Sequence, residues 1–217
     1  MSYFHECELK FYFKNEKELD SLVSLCEKHG YIFNKNVVET DYIFDTKSKK
    51  LKRTKTLLRL RLSETIDCQE ILLTLKTTGP ADDFQDCIEY EISSSNMQQS
   101  NLESIIEITK EKTGALLPED ILRTSNLEDI VKTFIEVGLF PVSVLQKKRK
   151  EFVGNTAKIL FDKFPVIDGF FVEFESDSKE KLFQSIRELG INTSSADKRN
   201  YGQIIASLTN NKTILVF

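Results

Sequence analysis

Glu6, Glu8 and Lys10 occupy alternate positions near the start of the chain. On an extended strand alternate side chains share a face, so two carboxylates and an ammonium would point the same way. Such a set can hold a divalent cation beside a bound anion. The same arithmetic recurs further along. Arg59 and Arg61 alternate with Leu58, Leu60 and Leu62, and Lys76 with Leu73 and Leu75. Glu89 and Glu91 interleave with Ile88, Tyr90 and Ile92, and Glu173 and Glu175 with Val172 and Phe174. Lys147 and Arg149 share a face, as do Lys158 and Asp162. Each strand therefore has one apolar face and one ionisable face.

The ordinary explanation is a solvated outer face of an antiparallel sheet. Two features weigh against it for the set as a whole. Like charges at i and i+2 repel, and a random surface has no reason to accumulate them. The helices of this chain also carry apolar stripes, which the apolar outer face of a closed sheet would cover. The charged faces would then converge on a lumen, which is unfavourable unless filled by water, metal and a polyanion. Lys10, Arg59, Arg61, Lys76, Lys147 and Arg149 are more cations than one phosphate needs, and arginine forks grip phosphate oxygens in pairs. Glu6, Glu8, Glu89, Glu91, Asp162, Glu173 and Glu175 are hard oxygen ligands suited to Mg²⁺ or Mn²⁺. Together they fit a triphosphate with one or two bridging metals.

Composition narrows the classes. The net charge of −4 over 217 residues gives no global attraction to nucleic acid or to an anionic membrane. No apolar run approaches the roughly 18 residues of a membrane span. Cys7, Cys26, Cys68 and Cys87 are isolated, which reads as reduced thiols in a cytoplasmic protein. His5 and His29 are the only histidines, so a histidine-based metal site or catalytic triad is not expected.

These faces need strands to carry them. Strands are expected over 3–13, 37–45, 56–63, 69–77, 86–93, 142–153, 157–164 and 170–175. Asn15 with Glu18 reads as a capping box before a helix carrying Leu19, Leu22, Val23 and Cys26. Lys47 to Lys55 form a basic loop, read as solvated, with recruitment of an anion as the sharper alternative. The turn Gly79-Pro80-Ala81-Asp82-Asp83 separates two strands. Residues 96–124 are polar and helix-prone without a strong apolar stripe. Leu127 to Ile135 form an amphipathic helix ending at Gly138, Ser178 caps another that stops at Gly190, and a short helix begins near Arg199. The links are mostly too short for parallel crossovers. The expected fold is α+β, with a closed eight-stranded antiparallel barrel and flanking helices.

The charged strands and their order resemble the CYTH family, also called triphosphate tunnel metalloenzymes. Glu6, Glu8 and Lys10 match its ExExK signature. The segment Thr40-Asp41-Tyr42-Ile43-Phe44-Asp45-Thr46 resembles its second strand, Leu58-Arg59-Leu60-Arg61 its LRxR strand, and Leu75-Lys76 its tunnel lysine. Ile88-Glu89-Tyr90-Glu91 resembles the ExE strand and Lys147-Lys148-Arg149 the KxR strand. Leu160-Phe161-Asp162 with Gly169 to Glu175 resembles the closing hairpin. Two features depart from the pattern: Cys87 stands where a basic residue is common, and 96–124 is longer than usual.

The resemblance implies one tunnel domain over 1–217, with a helical insertion at about 96–124. Glu6, Glu8, Asp162, Glu173 and Glu175 would face metal, as would Glu89 and Glu91. Lys10, Arg59, Arg61, Lys76, Lys147 and Arg149 would bind the triphosphate, joined by Lys198 near the tunnel mouth. Glu6, Glu8, Lys10 and Lys76 would carry catalysis. The implied substrate is ATP, thiamine triphosphate or tripolyphosphate, turned over by a class IV adenylyl cyclase-like protein with triphosphatase activity. The alternative is a polyphosphate or nucleotide sensor that binds without turnover. No membrane or nucleic-acid partner is expected, and homodimerisation is left open.

Overall fold

The computed structural model describes residues 4–80, 83–96, 98–123, 126–165, 167–209 and, for the backbone, 214–215. Ala81 and Asp82 of the expected turn, and Met97 and Thr124 of the polar stretch, lie outside the described residues. The strands are β1 (Phe4–Phe13), β2 (Ile32–Asp45), β3 (Thr56–Glu64), β4 (Gln69–Thr78), β5 (Gln85–Ser93), β6 (Phe140–Val153), β7 (Lys158–Lys163), β8 (Phe170–Ser176) and β9 (Ile214–Leu215). They are hydrogen-bonded in the order β2-β3-β4-β5-β1-β8-β7-β6-β9, and β2 also pairs with β6. The expected eight antiparallel strands therefore close in a ring, with the two-residue β9 added beside β6. Among the described residues six helices flank them: α1 (Lys17–Lys28), α2 (Lys50–Arg53), α3 (Gln99–Thr113), α4 (Leu127–Glu136), α5 (Lys179–Glu188) and α6 (Tyr201–Leu208).

The chain divides into two compact units. The first is built chiefly from Glu39–Thr78 and Ile88–Leu145. In it the β3–β4 register places Leu58 opposite Leu75 and Leu60 opposite Leu73, so the alternate leucines form one dry face. Leu102 and Ile105 of α3 and Ile130 and Phe134 of α4 belong to the same core, and Phe134 lies 4.4 Å from Phe44 between ring centroids. The lack of a stripe in 96–124 is thus misleading, because α3 is a core helix. Among its buried polar residues, Asn101 Nδ2 donates to Glu91 O at 3.1 Å, and Thr113 Oγ1 to Thr109 O at 2.6 Å. Such local bonds let polar side chains be buried where hydropathy alone expects exposure. In the opposite sense, Ile88 is exposed although the alternation put it on a core face.

The basic loop is also more ordered than a solvated loop. Buried Asp45 accepts hydrogen bonds from the amides of Thr46, Leu51 and Lys52 at 2.7, 2.9 and 3.0 Å. A carboxylate there neutralises the orphan donors of the short helix α2. Lys50 Nζ donates to Thr113 O, at the end of α3, at 2.9 Å.

The second unit comprises His5–Val38, Gly79–Cys87 and Gln146–Phe217. Its core joins Cys7, Leu9 and Phe11 of β1 with Val172 and Phe174 of β8, Ile159 and Phe161 of β7, and Leu182 and Ile186 of α5. The Asn15 capping box is not formed. Asn15 Oδ1 accepts from Lys17 N at 3.1 Å, Glu16 takes the cap position, and the Glu16 carboxylate reaches Lys163 Nζ instead. Ser178 does cap α5, accepting from Lys181 N, and α6 begins with a full capping box between Asn200 and Gln203.

Gly169 enters β8 at φ +84°, and a Cβ there would stand 2.1 Å from Phe13 O. Left-handed strain and backbone overlap add, so Gly169→Ala is expected to destabilise by about 3 kcal/mol. A urea midpoint unchanged from wild type would contradict this.

Candidate active site

In the second unit, register decides which charges meet. Glu8 faces Glu175 and Lys10 faces Glu173 across β1–β8, while Arg149 faces Asp162 across β6–β7. Lys10 Nζ contacts Glu8 Oε1 at 2.5 Å and Glu173 Oε1 at 2.8 Å. The other Glu173 oxygen accepts from Arg149 Nη2 at 2.7 Å. Arg149 also forks onto Asp162, with both bonds at 2.6 Å, and Lys147 Nζ reaches Asp162 Oδ2 at 3.3 Å. Glu8, Lys10, Lys147, Arg149 and Glu173 are buried, and Asp162 is fully shielded from solvent. Buried charges at these separations must alternate in sign, and they do.

Glu6, Glu8 and Glu175 also bring like charges together. Each offers a carboxylate oxygen, and the three oxygens lie within 4.8 Å of one another. Three carboxylates so close repel unless a cation lies among them, and the donor set suits a hard divalent ion. The residues present thus fit the metal that the ExExK signature implies. Asp162, expected among the metal-facing groups, serves Arg149 and Lys147 in this structure. Lys158 is exposed and faces Glu175 in register. Lys198 is exposed as well, next to Asp197, whose backbone pairs with that of Lys10.

The sequence reading did not single out Tyr201 as a site residue. Lys10 Nζ lies 5.2 Å and Lys147 Nζ 4.8 Å from its ring centroid, within cation–π range. Phe164 and Phe171 pack against it at 4.9 and 5.5 Å. Burial, reinforced by Asp162 and Glu173, raises its phenol well above the usual range, so the ring stays neutral under two ammonium groups. No periodicity could reveal this contact, because α6 brings the ring to β1 across most of the chain.

The first unit has its own charged cluster. Arg61 forks onto Asp41 at 2.6 and 2.9 Å and reaches Glu39 at 3.0 Å. Arg59 lies 3.7 Å from Asp41, Glu89 and Glu91, and Lys76 lies 3.6 Å from Glu89. Thr74 Oγ1 donates to Glu91 at 2.9 Å. Arg59 Nε is buried and has no hydrogen bond among the described residues. Glu89 and Glu91, expected to face metal, here stand against Arg59 and Lys76. Glu39 and Asp41 were missed, although their own i, i+2 spacing on β2 carries the signal used elsewhere.

The model of the CYTH domain matches residues 5–201. The chain belongs to the CYTH family. Members of that family are triphosphatases or cyclases. Among solved structures, the CYTH chain is similar to PH1819 protein from Pyrococcus horikoshii OT3, at 19% identity and TM-score 0.67, covering 94% of this chain and 99% of that one. It is also similar to a protein from Vibrio parahaemolyticus provisionally named an adenylate cyclase, at 18% identity and TM-score 0.64, covering 95% and 99%. A third is HpAC1 from Hippeastrum, provisionally named an adenylyl cyclase and described as having a dominant triphosphatase activity. It shares 13% identity at TM-score 0.54, with 96% of each chain covered. No curated protein matches the sequence significantly. At such identities the structural likenesses speak to fold. No helix among the described residues is long and apolar enough to cross a membrane.

Proposed function

We propose that this CYTH protein is a divalent-metal-dependent enzyme acting on a triphosphate-containing substrate, most like class IV adenylyl cyclases with triphosphatase activity. The observation that carries this reading is the convergence of Glu6, Glu8 and Glu175 on a strand face that also holds Lys10. Anion binding alone needs no such carboxylate set, which favours an enzyme over a sensor. The names of the Vibrio and Hippeastrum proteins support the same pair of activities.

Glu6, Glu8 and Glu175 are assigned to Mg²⁺ or Mn²⁺, which when bound would neutralise phosphate charge and polarise a phosphoryl oxygen. Lys10, Arg59, Arg61, Lys76, Lys147 and Arg149, with Lys198, are assigned to the triphosphate. Glu173 and Asp162 hold Lys10 and Arg149 in place before substrate arrives, as Asp41 holds Arg61. Phosphoryl transfer relies chiefly on such positioning and on charge neutralisation. Attack by water on the terminal phosphorus yields orthophosphate. Attack by a ribose 3′-hydroxyl on the α-phosphorus yields cyclic AMP and pyrophosphate.

The test is product identification after incubating purified protein, with Mg²⁺ and with Mn²⁺, on tripolyphosphate, thiamine triphosphate and ATP separately. Orthophosphate release is the expected result; cyclic AMP with pyrophosphate assigns the cyclase reaction. Tight binding without turnover of any of the three would overturn the enzyme reading in favour of a sensor.

A further inference from the structure

The opposite face of β1 carries a second donor set that triphosphate chemistry does not use. His5, Cys7 and Asp86 each place one ligand atom within 4.8 Å of the others. His5 and Cys7 stand at alternate positions of β1, on the face away from Glu6 and Glu8, and Asp86 lies on β5, the strand next to β1 in the sheet. Cys7 is buried in the core beside α5, whereas His5 is exposed, so the set opens to solvent on one side.

The hydrogen bonding of His5 is informative. Its Nδ1 lies 3.1 Å from the backbone oxygen of Asp177. A carbonyl only accepts, so Nδ1 carries a hydrogen. The Asp177 carboxylate is engaged elsewhere, by Lys181 at 2.7 Å. An Nδ1–H held by a carbonyl is the arrangement that orients histidine ligands through Nε2. That Nε2 lies 2.7 Å from Asp86 Oδ1. The oxygen is shut off from solvent and has no bond of hydrogen-bond geometry among the described residues. Two such atoms so close share a cation, either the proton of an imidazolium or a metal ion in its place.

We propose that His5, Cys7 and Asp86 form a zinc site with an open fourth position. Imidazole, thiolate and carboxylate are zinc's three ordinary protein ligands, bonded at about 2.0–2.3 Å, and three of them with a water complete a tetrahedron. The thiolate excludes Mg²⁺ and Mn²⁺ as preferred occupants, which separates this site from Glu6, Glu8 and Glu175 by metal as well as by face. Burial raises the Cys7 thiol to about 11, and the charges of Asp86, Glu180 and Asp177 add to the rise, so the thiolate would form only with a cation bound to it.

The test uses the full chain in a Cys68→Ser background, since Cys68 is an exposed thiol. Protein is loaded with Zn²⁺, desalted and assayed for metal content, and in parallel loaded with Co²⁺ and read for thiolate-to-metal charge transfer in the near ultraviolet. About one equivalent of zinc and a thiolate band are expected. Both should persist in the Glu6→Gln/Glu8→Gln variant and vanish in His5→Ala and in Cys7→Ser. His5 is exposed, so its variant reports on binding even where the buried Cys7 variant fails to fold. Zinc retained without a thiolate band, zinc unaffected by His5→Ala, or no zinc retained would each overturn the proposal. Because the readout is metal content and absorbance, it stands or falls independently of turnover.

Discussion

Replacing Glu6 and Glu8 together by glutamine is expected to lower kcat/KM for the triphosphate turned over by about 10³-fold, the several kcal/mol that a bridging metal contributes. Glutamine keeps the length and strand face of each side chain and removes only the charge. Lys10 would lose its 2.5 Å partner on Glu8 but keep Glu173 at 2.8 Å, so the β1–β8 pairing should hold. The single variant Glu6→Gln separates the two effects, because it leaves the Glu8–Lys10 contact in place. Steady-state kinetics across a Mg²⁺ titration, with urea unfolding as a control, is the measurement. Activity within tenfold of wild type at saturating Mg²⁺ would remove these glutamates from the metal assignment.

Asp162→Ala is expected to cost about 3–5 kcal/mol of stability, because it strands Arg149 and Lys147 in a buried site without their shared counter-ion. For a chain of this size that corresponds to a fall in Tm of about 10 °C. Combining it with Arg149→Leu should recover part of the loss, since the buried guanidinium that has lost its forked partner then disappears. Urea midpoints at constant slope measure both. A loss below about 1 kcal/mol would show that the pairing is not structural. Adding Mg²⁺ discriminates further: a metal-ligand role for Asp162 predicts a larger loss with metal than without it, a counter-ion role an equal loss.

The closed ring of antiparallel strands was legible, and with it the charged and apolar face of each strand, because a period of two survives in any strand with one dry face. Leu58, Leu60, Leu73 and Leu75 announce that face, and Arg59 and Arg61 its reverse. Which carboxylate meets which cation was not legible. That depends on register between strands far apart in sequence, and register turned Asp162 and Glu173 into partners of Arg149. The core role of α3 was hidden because Asn101 and Thr113 satisfy their polar groups on nearby backbone. Tyr201 was hidden for another reason: a lone aromatic in a short helix carries no period, and tertiary contacts such as the pairing of Asp197 with Lys10 and the packing of Phe164 and Phe171 bring it to the lysines.

That pairing has a temporal side. Asp197 N donates to Lys10 O at 2.7 Å, and Lys10 N to Asp197 O at 3.3 Å. The unit holding Glu6, Glu8 and Glu175 thus draws on both an early and a late stretch of the chain. During synthesis the ExExK strand leaves the ribosome long before the strands and helix that neutralise it, since chains emerge at about 5–20 residues per second. Until β8 and Asp197 follow, Lys10 lacks Glu173 and its late backbone partner. A nascent or prematurely terminated chain therefore carries the signature residues without the means to arrange them.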